Sequence, residues 1–259
     1  MADREVELVR TKAFLKAAVP LLEEVVAADP SLQKMIAKWN CAVQFQVKNE
    51  EPAAYLLFEG GTLKVIQGKH QKPTITFTFK DCVTINAFFT GKNVLFGIKG
   101  LAHILLLAKI VKLLMKLKML MPAYVCKSEA EKELKVKLLM YMVAFALQEM
   151  SENDDEYIKR LTQTARKKVV EWTVALHEPA VWVRIDEGKI KATKGRTDRR
   201  PYVSMDFKDV ESALKVLTSE VGALDAMRLQ LVSSRGTAEY GIKVGNLMTR
   251  VANTLMPEG

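Results

Sequence analysis

An internal repeat restricts the possible folds of this chain more than any other feature. The block Glu51–Asp81, EPAAYLLFEGGTLKVIQGKHQKPTITFTFKD, returns as Glu178–Asp209, EPAVWVRIDEGKIKATKGRTDRRPYVSMDFKD. The two blocks align at a separation of 127 residues at their start and of 128 after one inserted residue. A period of this length indicates a duplicated domain, because the repeats of solenoid proteins are shorter. The repeat therefore predicts two tandem domains, residues 1–127 and residues 128–259.

Alternating hydrophobicity around and within the first block predicts β-strands. In Val43–Val47 apolar residues alternate with glutamines, which is typical of a strand with one face toward solvent. Three more strands with short turns between them are predicted at Tyr55–Phe58, Leu63–Ile66 and Pro73–Phe79. This pattern predicts an antiparallel meander with one apolar face that helices must cover. The second block predicts the same arrangement between Val169 and Phe207.

Helical periodicity flanks each predicted meander. It predicts helices over residues 3–28, with Pro20 as a boundary, and over Cys82–Thr90, Glu129–Met150, Glu156–Lys168 and Asp209–Thr218. In the second copy, the alternation of Met227, Leu229 and Leu231 predicts a strand within Ala226–Ser233. In the first copy a brief strand is predicted over Val94–Lys99, and Glu239–Gly245 is interpreted as the counterpart of Phe96–Gly100 at its end.

The segment Leu101–Met121 is unusually apolar for a single helix. Most of its residues are Leu, Ile, Val or Met, and Lys109, Lys112 and Lys116 fall on one helical stripe. This apolar surface exceeds what a helix needs to cover half of a sheet. We therefore expect part of it to face a ligand cavity, a bilayer surface or the other repeat.

Three motifs of the first copy carry a resemblance to a known family. They are PTITFTFKD at Pro73–Asp81, FTGK at Phe89–Lys92, and IKG at Ile98–Gly100, which leads into Leu101–Met121. In this order they resemble the sterol carrier protein two family of lipid-binding domains, over almost the whole chain as two tandem copies. The resemblance implies an α+β fold in which each domain has a mixed, largely antiparallel sheet of about five strands covered by helices. It also implies an apolar tunnel that holds an acyl chain, a sterol or an isoprenoid.

The first copy is expected to be the better ligand binder, because the second lacks the Gly-Lys pair of the FTGK motif. The predicted tunnel lining is Phe88, Phe89, Leu105, Leu106, Ile110, Leu113, Leu114, Met115, Leu117 and Met119. An ordinary hydrophobic core would use the same residues, and the sequence leaves that alternative open. Contact with an anionic membrane surface is predicted for Lys109, Lys112, Lys116 and Lys118, with a solvated helix face as the alternative.

Catalytic and metal-binding patterns are missing from the sequence. It contains no HExxH, GxSxG, GxGxxG or Walker pattern, and His70, His103 and His177 are far apart. We therefore expect a non-enzymatic protein without a cofactor or a metal. Nucleic-acid binding is not favoured, since such sites interleave aromatic and basic residues on one sheet face. The basic segment Lys189–Arg200 is interpreted instead as a charged turn that protects a sheet edge.

The remaining features predict a cytoplasmic location. Cys41, Cys82 and Cys126 are widely spaced, which favours free thiols in a reducing compartment. The charged start lacks the apolar core of a signal peptide, and no apolar run reaches the length of a membrane span. The predicted function is non-enzymatic binding and transfer or presentation of a hydrophobic lipid. The alternative is a scaffold or accessory protein that recruits enzymes of a lipid or quinone pathway.

Overall fold

The chain forms two compact units, divided between Lys118 and Met119. The computed structural model describes residues 2–48, 52–153 and 155–255, so Glu51, where the repeated block begins, lies outside the described residues. The division precedes the predicted boundary after residue 127. Within the second unit, the ammonium group of Lys135 donates hydrogen bonds to the backbone oxygens of Met121 and Tyr124, at 3.1 and 2.8 Å. These bonds hold the linking segment against the helix that follows it.

The first unit begins with helices, as predicted. Its helical elements are α1 (Ala2–Ala13), a π-helical turn (Phe14–Ala18), α2 (Leu21–Ala28), α3 (Pro30–Ile36), α4 (Cys82–Phe89) and α5 (Ile104–Leu114). Its strands are β1 (Cys41–Val47), β2 (Ala53–Glu59), β3 (Thr62–Gln67), β4 (Ile75–Phe79) and β5 (Gly97–Lys99). The predicted long helix Leu101–Met121 is shorter in the structure, because 3₁₀ turns at Leu101–His103 and Met115–Leu120 flank α5.

The sheet of the first unit is mixed and has five strands, as the resemblance implies, whereas the antiparallel meander predicted from alternation is wrong. In the described residues the strand order is β3-β2-β1-β4-β5, and β1 pairs with β4 in parallel. The parallel register places Phe45 opposite Phe77 and Val47 opposite Phe79. Alternation predicts which residues share a face, but it does not predict which strand is the neighbour. Pairing with β1 on one side and β5 on the other makes β4 an interior strand of the sheet.

The second unit repeats this topology. Its helices are α6 (Glu129–Glu152), α7 (Glu156–Thr162), α8 (Val210–Leu217), α9 (Ala223–Arg228) and α10 (Ala238–Leu255). Its strands are β6 (Lys168–Val174), β7 (His177–Asp186), β8 (Lys189–Lys194), β9 (Val203–Phe207) and β10 (Val232–Arg235). The described strands form a sheet of order β10-β9-β6-β7-β8, in which β6 and β9 are parallel.

Two strand predictions in the second unit are wrong. Met227 lies in α9, and the segment interpreted as a counterpart of the first unit's last strand lies in α10. The true counterpart is β10, since β10 pairs with β9 as β5 pairs with β4. Gly100 and Gly236 follow these strands with positive φ angles, and a Cβ at either would collide with a backbone oxygen. This shared glycine geometry, and not the Gly245 position, marks the equivalent turn.

The predicted solvent-facing side of β1 is buried. Gln44 is 1% exposed, because the loop after β3 folds over it. Its amide donates to the backbone oxygens of Ala54 and Gly68, and its Oε1 accepts from the His70 amide at 2.7 Å. In the second unit Glu171 takes this position and accepts from the Thr197 amide at 2.9 Å. The same loop contact is therefore made by a neutral amide in one unit and by a carboxylate in the other.

Side-chain caps define several helix starts. The capping residues, each accepting a backbone N–H of the first turn, are Asp29, Asp81, Ser128, Asp155 and Asp209. Asp81 and Asp209 occupy equivalent positions before α4 and α8. In the described ranges, no helix is both long enough and apolar enough to cross a membrane.

Candidate ligand-binding cavity

An apolar cavity of about 500 Å³ lies in the second unit. It is enclosed by the β9–β10 edge of the sheet and by α6, α8, α9 and α10. Its interior is formed by buried apolar side chains, which include Leu139, Met142, Met205, Phe207, Val232 and Val251. The volume falls within the range of small-molecule sites, which is roughly 300–1,000 Å³.

The mouth of the cavity lies between the α8–α9 turn and α10. Among the lining residues, the exposed ones in this region are Ser219, Gly222 and Ala223 on the turn, and Thr249 and Asn253 on α10. Polar atoms are therefore concentrated at the opening, whereas the interior is apolar. This arrangement suits a molecule that has a large apolar body and a small polar end.

Aromatic rings occupy the equivalent positions in the first unit. The repeat separation of 128 residues and the strand registers give the equivalent positions in the two units. Four lining positions of the second unit carry phenylalanine in the first: Met205 corresponds to Phe77, Val216 to Phe88, Leu217 to Phe89, and Val232 to Phe96. Each of these phenylalanines is larger than the aliphatic residue that replaces it.

The phenylalanines of the first unit form one continuous cluster. The Phe88 ring lies 5.5 Å from Phe89 and 5.3 Å from Phe96, measured between ring centroids. The Phe77 ring stacks on Phe45 at 5.2 Å and lies 5.7 Å from Phe96. These distances are typical of close aromatic packing. The smaller side chains of the second unit leave the corresponding volume empty.

The predicted lining residues of the first copy do not contribute to this cavity. Phe88 and Phe89 belong to the aromatic cluster, and Leu105 and Met115 are 78% and 47% exposed. Leu106 is half-buried, and the remaining predicted residues are buried, namely Ile110, Leu113, Leu114, Leu117 and Met119. Their assignment as ligand contacts stays a prediction.

The four predicted membrane-contact lysines differ in their surroundings. Lys109, Lys112 and Lys118 are exposed, whereas Lys116 forms an ion pair of 3.1 Å with Asp29. Asp29 also caps α3, and hydrogen bonds, above all from the Ser31 hydroxyl and also from Lys116, lower its pKa to about 2. Lys116 therefore has a structural partner that the other three lysines lack in the described residues.

A second, polar cavity of about 650 Å³ lies on the opposite face of the second sheet. Its floor carries Glu171 and Asp206, and Arg196, Arg200 and Arg235 contribute to its walls. The two carboxylates already have protein partners, since Asp206 accepts from Thr173 and from a backbone amide, and Glu171 lies 3.7 Å from Arg196. This cavity offers little to an apolar molecule, so the two cavities have different chemistry.

The metal-ligating and thiol side chains of the described residues are dispersed. No group of three or more His, Cys, Asp or Glu side chains in the described ranges could hold a metal ion. Cys41, Cys82 and Cys126 form no disulfide, and burial raises the pKa of the Cys41 and Cys126 thiols. A raised thiol pKa disfavours the thiolate, which is the nucleophilic form of cysteine.

Comparisons with known proteins give distant structural likenesses. No protein-family model matches the chain, and no curated protein sequence matches it. The chain is similar to the solution structure of sterol carrier protein domain 2 of Helicoverpa armigera, with 18% identity and a TM-score of 0.34, over 44% of this chain and 89% of that domain. It is also similar to a conserved hypothetical protein of Thermus thermophilus, described as possibly a sterol carrier protein, with 17% identity and a TM-score of 0.33, over 44% of this chain and 83% of that protein. At this level of similarity they do not assign the chain to a family.

The cavity residues were missed because sequence reasoning placed the ligand in the first copy. Val232 lies in the strand predicted within Ala226–Ser233, but strand periodicity does not place it beside a cavity. That position depends on α9 and α10, which also line the cavity. One signal was present in the sequence. The alignment sets Phe88 and Phe89 against Val216 and Leu217, which is a loss of side-chain volume at two adjacent positions of equivalent helices.

Proposed function

We propose that this protein binds a hydrophobic molecule of lipid type in the apolar cavity of the second unit, and that it transfers or presents this molecule without catalysing a reaction. The observation that carries the proposal is a cavity of about 500 Å³ with an apolar interior and a polar mouth. Burial of a ~16-carbon chain would contribute on the order of 12 kcal/mol of gross transfer free energy, at ~0.8 kcal/mol per methylene group. A bilayer offers a similar gain, so exchange with a membrane is energetically feasible.

Delivery from a membrane would use the exposed surface of the first unit's last helical segment. Leu101, Ile104 and Leu105 are 59%, 61% and 78% exposed, and Lys109 and Lys112 are exposed close by in the chain. Exposed apolar residues together with lysines suit transient contact with an anionic bilayer, to which each lysine contributes roughly 1 kcal/mol. The free cysteines are compatible with the cytoplasmic location expected from the sequence.

The test transplants the first unit's aromatic residues into the second. In the double variant Val216→Phe/Val232→Phe, rings equivalent to Phe88 and Phe96 should fill the cavity. The measurement is mass spectrometry of organic extracts from the purified protein, with uptake of a neutral fluorescent lipid by the delipidated protein as a second readout. Leu224→Phe is the matched control, because this α9 residue is 74% exposed and does not line the cavity.

We expect the parent protein and the Leu224→Phe variant to carry or take up lipid, and the double variant to lose it while keeping its circular dichroism spectrum. Binding that survives in a folded double variant would place the ligand elsewhere. A parent protein that neither retains nor takes up lipid would contradict the proposal and favour the scaffold or accessory alternative.

A further inference from the structure

The lining of the apolar cavity has a chemical property that limits its ligand. None of the described residues that line it carries a charged side chain. Its threonines are also engaged, since the Thr218 hydroxyl donates to the Leu214 oxygen at 2.8 Å and the Thr249 hydroxyl to the Gly245 oxygen at 3.1 Å. Ser219 and Asn253 at the mouth are the lining side chains whose O–H and N–H groups stay available to donate to a polar end group.

Cations on the surrounding helices are occupied by other partners. On α10, Arg250 donates to Asp155 at 2.8 Å, and Lys243 lies 2.9 Å from Glu239. On α9, Arg228 pairs with Asp225 at 3.1 Å. On α6, Lys132 forms ion pairs with Glu129 and Glu211. Lys135 of the same helix donates to backbone oxygens. Lys215 of α8 is exposed and does not line the cavity.

An ionised head group would therefore be poorly accommodated at this site. A carboxylate that leaves water without a cation or several hydrogen-bond donors loses far more free energy than a hydroxyl or an ester does. The mouth offers the Ser219 hydroxyl and the Asn253 amide as donors, and these can bind a neutral polar group. The exposed Glu220, next to Ser219 in the chain, adds a negative charge near the opening.

Building on the proposed function, we infer that the ligand of this cavity is an uncharged lipid, with a hydroxyl, carbonyl or ester group at the mouth, and not an ionised fatty acid. Hydroxyl-bearing polycyclic lipids, long-chain alcohols and neutral esters belong to this class. The inference depends on the composition of the lining and not on the shape of the ligand.

The experiment compares three ligands with the same 16-carbon chain. Palmitate, methyl palmitate and 1-hexadecanol compete with a neutral fluorescent lipid for the delipidated full-length protein at pH 8. We expect the alcohol and the methyl ester to displace the probe at concentrations at least about tenfold lower than palmitate, because only palmitate brings a negative charge to a mouth that has no cation among its described lining residues and has Glu220 beside it. Equal displacement by palmitate would overturn the inference while leaving the proposed function intact. Failure of all three to displace the probe, or of the probe to bind, would overturn both.

A designed gain of function tests the physical cause. Asn253→Lys places a cation at the mouth and should strengthen palmitate binding by about tenfold or more, while hexadecanol binding stays within about twofold. Asn246→Lys is the matched control, because Asn246 is exposed on the same helix and does not line the cavity. An equal gain in both variants would attribute the effect to net charge and contradict the role assigned to the mouth.

Discussion

The two units share a topology but fill the same internal space differently. In the first, rings such as Phe88 and Phe96 pack 5.3 Å apart, and in the second Val216 and Val232 take their places and border a cavity of about 500 Å³. The strand order is the same in both units, and the N-caps Asp81 and Asp209 occupy equivalent positions. A duplicated fold can therefore keep its framework while its two copies are packed differently. In the second unit, smaller side chains at positions that converge in space combine with α9 and α10, which also line the cavity.

The largest expected effect tests this difference in packing. Phe77→Ala should destabilise the first unit by about 3–5 kcal/mol, because Phe77 is 1% exposed and packs against Phe45 and Phe96. Its equivalent Met205→Ala should cost about 2 kcal/mol, since Met205 already borders empty space. Urea unfolding followed by tryptophan fluorescence would measure both, with Trp39 reporting on the first unit and Trp172 and Trp182 on the second. Equal losses would contradict the contrast between the two cores.

A second prediction tests a feature that both units share. Gly100→Ala and Gly236→Ala should each destabilise their unit by about 2 kcal/mol or more, because φ is positive and a Cβ would meet the backbone oxygen of Thr74 or Tyr202. Gly60→Ala is the control, since its φ is also positive but no atom lies within 4 Å of the added Cβ. We expect about 1 kcal/mol for this control in the same urea unfolding measurement. A tolerated alanine at Gly236 would remove the equivalence between the two turns.

The buried polar position beside the loop distinguishes the units in a third way. Gln44→Glu should destabilise the first unit by about 2 kcal/mol, because its amide donates to the backbone oxygens of Ala54 and Gly68 and a carboxylate would face them without a proton. The reverse change, Glu171→Gln, should leave the second unit within about 1 kcal/mol of the parent, since glutamine can accept from Thr197 as Glu171 does and the lost contact with Arg196 is long and half-exposed on the arginine side. Thermal unfolding of both variants at pH 7 measures the asymmetry. Similar losses in the two units would show that the position has the same requirement in each.

The smallest expected effect concerns the equivalent caps Asp81 and Asp209. Hydrogen bonds, above all from the Thr84 hydroxyl, lower the pKa of Asp81. Hydrogen bonds, above all from the Ser212 amide, lower the pKa of Asp209. Asp→Ala at either position should cost about 1 kcal/mol at pH 7. A lowered pKa in the folded state means that this stabilisation is present above the unfolded carboxyl pKa of about 3.9 and is lost as the pH falls through the folded value. Urea unfolding between pH 7 and pH 2 should show the parent and the variants converging in acid, equally for both units.

Sequence reasoning predicted the features that depend on local pattern. The positions of most strands and helices are visible in short stretches of residues, because side-chain periodicity acts over a few positions, and the duplication is visible as a direct repeat of the sequence. The parallel pairing of β1 with β4 was not predicted, since the choice of neighbour depends on contacts between residues far apart in the chain. The helix α9 was predicted as a strand because the alternation of Met227, Leu229 and Leu231 also occurs by chance in a short helix and turn.

The amino-acid sequence by itself determined that the protein is built twice from one α+β pattern. It also shows that the second copy has smaller residues where the first copy has phenylalanines. Only the tertiary structure decided which copy encloses a cavity. Side-chain volume becomes empty space only where residues from several elements meet. Val216, Val232 and Met205 meet because α8, β10 and β9 converge beneath α10. That convergence is a property of the folded chain, and with it comes the uncharged lining from which the ligand class is inferred.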